Sequence, residues 1–93
     1  MKVMMYSVYD EKACAYATPF FMSTDGQAIR AFGDAVMEGK SQLAVHPEDF
    51  GLYYVGEYDD KTGQVISVVP KFLCRGSEFK NKGVISNENS INS

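Results

Sequence analysis

Residues 24–39, TDGQAIRAFGDAVMEG, decide the fold. Thr24 stands at a helix N-cap position with Gln27 three residues on, a capping-box pattern. Asp25 follows where the positive end of a helix dipole favours an anion. Ile29, Phe32 and Val36 recur at helical spacing and form one apolar face, widened by Ala28, Ala35 and the small Gly33. Gln27, Arg30, Asp34 and Glu38 fall on the opposite side. Gly39 suits the left-handed residue that ends a helix, with Lys40 just beyond. A helix with a single apolar face must lie on another layer, and the flanking sequence supplies a sheet.

Upstream, Met4, Tyr6 and Val8 alternate with Val3, Met5, Ser7 and Tyr9, which reads as a strand covered on both faces. Asp10 to Ala13 is a polar turn, and Cys14 to Thr18 reads as a short second strand stopped by Pro19. Downstream, His46-Pro47-Glu48-Asp49-Phe50 reads as a single helical turn opened by proline. Leu52 to Tyr58 and Gln64 to Val69 are rich in Tyr, Val and Ile and read as paired strands. Asp59 to Gly63 forms their hairpin loop, with Gly63 at a positive-φ position, and Pro70 closes the second strand. Lys71 to Lys82 docks in part on the body through Phe72, Leu73 and Phe79. Residues 83–93, GVISNENSINS, lack periodicity and read as a flexible, disordered tail.

This order predicts an α+β fold of two layers. A three- to four-stranded, mostly antiparallel sheet is packed by one helix over about residues 25–38, with a C-terminal hairpin and the tail. Residues 1–82 form a single domain, with a core at 1–70 and a basic extension at 71–82. So small a body is marginally stabilised by its own core. Its uncovered sheet face, with some of Tyr6, Tyr53, Tyr54 and Tyr58, predicts a homodimer as the simplest cover.

Nine Lys+Arg against twelve Asp+Glu give the 93 residues a formal charge of −3, which excludes a basic DNA coat. A hydrophobic fraction of 45% and an aromatic fraction of 13% exclude a disordered chain. No apolar run approaches the roughly 18 residues of a membrane span, and residues 1–10 do not read as a signal peptide. The charge is unevenly spread. Residues 1–70 carry five basic and ten acidic side chains, whereas 71–82 carry Lys71, Arg75, Lys80 and Lys82 against Glu78. Cys14 and Cys74 read as free thiols in a reducing compartment. No CxxC is present and His46 is the single histidine, so no zinc site and no cofactor is expected.

His46 with Glu48 and Asp49 invites a general-base or metal reading, but a proline followed by acids is also how a helical first turn begins. The glycines match no phosphate-binding loop. Glu57, Asp59, Asp60 and Thr62 read as a solvated turn rather than a calcium loop. No enzyme is expected. Nucleic-acid binding has two partial signatures: Tyr53 and Tyr54 as stacking rings on an exposed sheet, and Lys71, Arg75, Lys80 and Lys82 interleaved with Phe72 and Phe79. Binding through a few phosphate contacts is modest and steeply salt-dependent. The same tyrosines also serve as core or dimer interface, with the basic segment balancing an acidic surface.

Several blocks stand in one order over about residues 1–70. They are Lys2 and Tyr6-Ser7-Val8-Tyr9-Asp10 with Lys12-Ala13, Pro19-Phe20, Gly26-Gln27-Ala28-Ile29-Arg30-Ala31-Phe32 with Asp34, His46-Pro47-Glu48-Asp49-Phe50, Leu52-Tyr53, and Gly56-Glu57-Tyr58-Asp59 with Thr62-Gly63. Together they resemble the small nonstructural protein of gokushovirus-type microviruses, bacteriophages with a circular single-stranded DNA genome. The resemblance implies a non-enzymatic viral accessory protein in the host bacterial cytoplasm. It would bind single-stranded DNA in genome replication or packaging. The alternative is a protein-binding adaptor that acts on replication or capsid-assembly factors without touching DNA. No catalytic or DNA-contacting residues come with the resemblance.

Overall fold

Strand β1, Lys2–Asp10, is the spine of the computed structural model, which describes residues 2–39 and 41–79. Asp10 turns the chain at the end of β1, its Oδ1 accepting from the amides of Lys12 at 2.9 Å and Ala13 at 3.3 Å. The chain then returns along β1 as two short antiparallel strands, β2 at Ala15–Tyr16 and β3 at Phe20–Met22. The sequence reading ended this edge at Pro19. Proline only interrupts it, because the nine residues of β1 leave Met4 to Tyr6 still to be paired. Across the gap the Ala17 amide donates to the Val8 carbonyl at 2.8 Å, and the Ser7 hydroxyl donates to the Ala17 carbonyl at 2.7 Å.

Helix α1, Asp25–Met37, forms as its local signals require. The Thr24 side chain accepts from the Gln27 amide at 3.2 Å. The reciprocal bond from Gln27 reaches one residue further back, its Oε1 accepting from the Ser23 amide at 3.1 Å. Ala28, Phe32, Gly33 and Val36 are buried, and Gly39 takes φ +82°. A second short helix, α2 at Gln42–Val45, capped by Ser41, is an element the sequence reading did not include. The 3-10 turn Pro47–Asp49 follows as expected.

Strands β4, Phe50–Asp59, and β5, Gln64–Arg75, complete the sheet. The order is β2-β1-β4-β5, with β3 beside β2 on the outer edge of β1. Both β3 and β4 run antiparallel to β1 and therefore parallel to each other, and α1 spans the crossover between them. Here the structure corrects the boundary at Pro70. Tyr54 faces Lys71 and Gly56 faces Ser67, so Val68, Val69 and Pro70 stand opposite the single residue Val55. This bulge absorbs the missing proline N–H, and the strand runs on to Arg75. Residues 71–75 are thus part of the sheet, not an extension of it. Gly56 makes the bulge possible: it sits at φ +156°, and a Cβ there would collide with the Ile66 carbonyl. Beyond β5 the chain is helical at 77–79, and the Phe79 ring docks against Phe32 at 6.0 Å. The tail at 83–93 lies outside the described residues.

Residues opposite one another in antiparallel strands share a face. On the helix side, Tyr6, Leu52 and Cys74 form the core with Ala28, Phe32 and Val36. Met4, Val8, Phe20, Met22, Phe50 and Tyr54 pack around them. Tyr6 and Tyr54, two tyrosines offered for the uncovered face, therefore belong to the covered one. Tyr6 is fully buried because its ring fits under the helix while its hydroxyl reaches the exposed Asp25.

Candidate functional site

The uncovered face carries a row of aromatic rings, one from each of four strands: Tyr16 on β2, Tyr9 on β1, Tyr53 on β4 and Phe72 on β5. Ring centroids lie 4.7 Å apart for Tyr9–Tyr16, 5.6 Å for Tyr16–Tyr53, 6.2 Å for Tyr9–Tyr53 and 5.6 Å for Tyr53–Phe72. Register produces the row, since Tyr9 stands opposite Tyr16 and Tyr53 stands opposite Phe72. Gly51 keeps it open, because a Cβ there would lie 3.2 Å from the Tyr53 ring and 3.4 Å from Phe72. The two ends are wetter than the middle: Tyr16 is 46% exposed and Phe72 48%. Partial burial, followed by the neighbouring Cys14 thiol, pushes the Tyr9 phenol above its ordinary value, so this hydroxyl stays protonated and neutral.

Arg75 closes the row at the β5 end. Its guanidinium sits 5.6 Å from the Phe72 centroid, and Nη1 donates to Glu11 Oε2 at 2.6 Å and to the Glu48 carbonyl at 3.2 Å. Its backbone amide donates to Glu78 Oε2 at 2.7 Å. The charge of this cation is therefore largely offset where it stands. Beside the row, Ser7, Tyr16, Ala17, Pro19, Val55 and Pro70 line an apolar depression of about 210 Å³.

Of the residues singled out in the sequence, the structure brings Tyr53 and Arg75 together through Phe72. Tyr54 and Lys71 lie opposite each other on the helix side of the sheet. Burial, followed by Glu57, raises the pKa of the Tyr54 phenol there. Lys80 and Lys82 lie outside the described residues. Tyr9 and Tyr16 were not among the candidate residues. The odd-numbered set of β1 already contained Tyr9, but only the pairing register joins it to Tyr16 and Tyr53.

A second cluster sits beside the 3-10 turn, where the ligating atoms of His46, Glu48 and Asp49 lie within 4.8 Å of one another. His46 Nδ1 is 4.0 Å from Glu48 Oε2, and the group borders an open cavity of about 610 Å³ shared with Asp10, Lys12, Gln42 and Phe50. His46 and Glu48 are exposed, as a helical first turn leaves them. At the β4–β5 hairpin Glu57 pairs with Lys2 at 3.4 Å. Asp59 instead folds back on its own loop, and backbone hydrogen bonds from Lys61 and Thr62 lower its pKa. Cys14 is exposed, whereas Cys74 is buried in the core. Among the described residues no helix is long and apolar enough to cross a membrane.

Comparison with known proteins identifies the family. Residues 3–79 match the family described as Phage ORF5 protein, a span that covers the strands and helices named above except Lys2, the first residue of β1. Protein ORF5 of Chlamydia phage 1 is 38% identical over 72 residues, which cover 73% of this chain and 75% of that protein. No solved structure matches. The match continues past residue 70, through the strand that the bulge at Pro70 carries to Arg75, and the chain belongs to the Phage ORF5 protein family.

Proposed function

We propose that the chain is a non-enzymatic phage accessory protein of the host bacterial cytoplasm that binds single-stranded DNA on its aromatic face. The observation that carries this reading is the four-ring row from Tyr16 to Phe72, on the face that no helix of the described residues covers. Every base has a π-face, so such a row engages unpaired DNA without reading its sequence, at about 1–3 kcal/mol per stacked base. Placement of the cations changes the expected character of binding. Among the described residues that register assigns to this face, Arg75 is the one cation, and Glu11 already offsets it. Stacking therefore dominates over charge. A single phosphate contact on a single strand gives a salt slope of only about −0.7.

The test is a salt-titrated anisotropy assay with a fluorescent thymidine oligonucleotide. Saturable binding that weakens little with salt and falls at least about fivefold on Tyr53→Ala is the expected result. A steep salt dependence, or affinity unchanged by Tyr53→Ala, contradicts stacking on this face.

A second reading rests on the 2.6 Å pairing of Arg75 with Glu11, which leaves the face apolar and nearly uncharged. That surface suits a protein-binding adaptor acting on replication or capsid-assembly factors. Absence of oligonucleotide binding at about 50 mM salt, where charge contacts are least screened, favours this adaptor.

A further inference from the structure

We propose that the free edge of β5 pairs with the same edge of a second copy, antiparallel, about a twofold axis near Ser67. Among the described residues β5 is the last strand in the sheet order, and one row of its backbone groups has no neighbouring strand there. Residues 64–69, QVISVV, carry no charge, and all are exposed, Val65 at 63% and Val69 at 88%. Edge strands are ordinarily guarded by lysines, prolines or inward-pointing charges. The guards of this run, Pro70 and the bulge that begins at Val68, both lie at its C-terminal end, and its composition is that of segments prone to self-pairing.

Charge at the two ends of the strand selects a second copy and its direction. The turn that leads into β5 carries Asp59, Asp60 and Lys61, a net charge of −1, and the far end carries Lys71, which stands exposed. Antiparallel pairing about Ser67 sets Val65 against Val69 and Ile66 against Val68. It brings Lys71 of each copy toward the acidic turn of the other, twice in every dimer. Parallel pairing would set like charges side by side. A twofold axis of this kind stands perpendicular to the sheet, so the aromatic rows of both copies face the same way. Six residues span only about 20 Å. The contact is therefore small, and its dissociation constant falls in the micromolar range rather than the nanomolar.

Sedimentation equilibrium of the full chain tests this, with circular dichroism as the check on folding. The wild-type mass rises from 10.3 kDa toward twice that value as concentration approaches about 100 µM. Val69→Lys holds the mass at the monomer value, and Lys71→Glu weakens association at least about tenfold, equivalent to 1.4 kcal/mol. Combining Lys71→Glu with Asp60→Lys restores association. A wild-type chain that stays monomeric, variants that associate as the wild type does, or a charge swap that fails to restore pairing would each overturn the proposal. Oligonucleotide binding is read on other residues, so either result can fail alone.

Discussion

Tyr6 ties the first strand to the first turn of the helix, its hydroxyl donating a 2.7 Å hydrogen bond to Oδ1 of Asp25. The ring has no solvent exposure, whereas Asp25 stands at the exposed N-terminal end of α1, where the helix dipole favours its charge. Hydrogen bonds to charged groups contribute about 1.5–3 kcal/mol when buried, and an exposed carboxylate recovers part of that from water. Tyr6→Phe therefore costs about 1 kcal/mol, a drop of roughly 4–8 °C in Tm for a domain of this size. Tyr6→Ala, which opens a cavity under the helix, costs about 3–5 kcal/mol. Thermal melts followed by circular dichroism separate the two.

Gly33 tests how tightly the segment after β5 docks. A Cβ at this position would lie 2.6 Å from Cε1 of Phe79. In an open helix Gly→Ala is stabilising by about 1 kcal/mol. Here the Phe79 ring must swing away and lose its packing on Phe32, so Gly33→Ala gives no gain in urea denaturation. In a Phe79→Ala background the same substitution recovers the gain of about 1 kcal/mol. A stabilising Gly33→Ala in the wild-type chain would mean that Phe79 does not hold this position.

Cys74 gives stability a definite alkaline limit. Burial, followed by the charge of Glu78, pushes the thiol from an ordinary value near 9 up to about 11. The fold binds the protonated form, so this contribution is intact below pH 9 and is lost as pH rises from 9 to about 11. Tyr6, whose phenol is raised first by burial and then by Asp25, adds its own loss above pH 10. Urea midpoints measured at pH 8, 9 and 10 fall in the wild type. They fall less in Cys74→Ala, which is less stable at pH 8 but has no thiol to ionise.

Tyr53 and Tyr54 are neighbours in sequence with different expected phenotypes. Tyr53 stands in the aromatic row, while Tyr54 packs 5.7 Å from Tyr6 against the core. Tyr53→Ala, which gives up ring contacts on a half-buried face, costs about 1 kcal/mol and lowers oligonucleotide affinity at least about fivefold. Tyr54→Ala lowers stability by about 2 kcal/mol and leaves the affinity of the folded fraction unchanged. Melts and anisotropy on the same preparations check both.

The pair also shows where the sequence stops being readable. Thr24, Gln27 and Gly39 act within one turn of the helix ends they define, so α1 is legible from its own residues. The face that Tyr54 occupies is different, because it depends on the phase of β4 relative to β1. That phase shifts at Val55, where Met5 pairs with Gly56 but Tyr6 pairs with Tyr54. Pro70 misleads for a related reason. Proline is excluded from central strands but tolerated at an edge, and nothing local marks β5 as the edge. The partner of Arg75 lies at Glu11, far along the chain, so the neutralisation of this cation on the aromatic face is written in no single segment.

The aromatic row takes one ring from each of four strands, and this makes the site a late product of synthesis. Tyr9 and Tyr16 emerge early, but Tyr53 and Phe72 complete the row only once residue 72 of the 93 has been made. At about 5–20 residues per second, roughly 3–13 s separate the translation of Tyr9 from that of Phe72. A nascent or truncated chain that lacks β5 presents no complete row to a ligand. A chain cut before β5 is therefore expected to lack the face on which oligonucleotide binding is proposed.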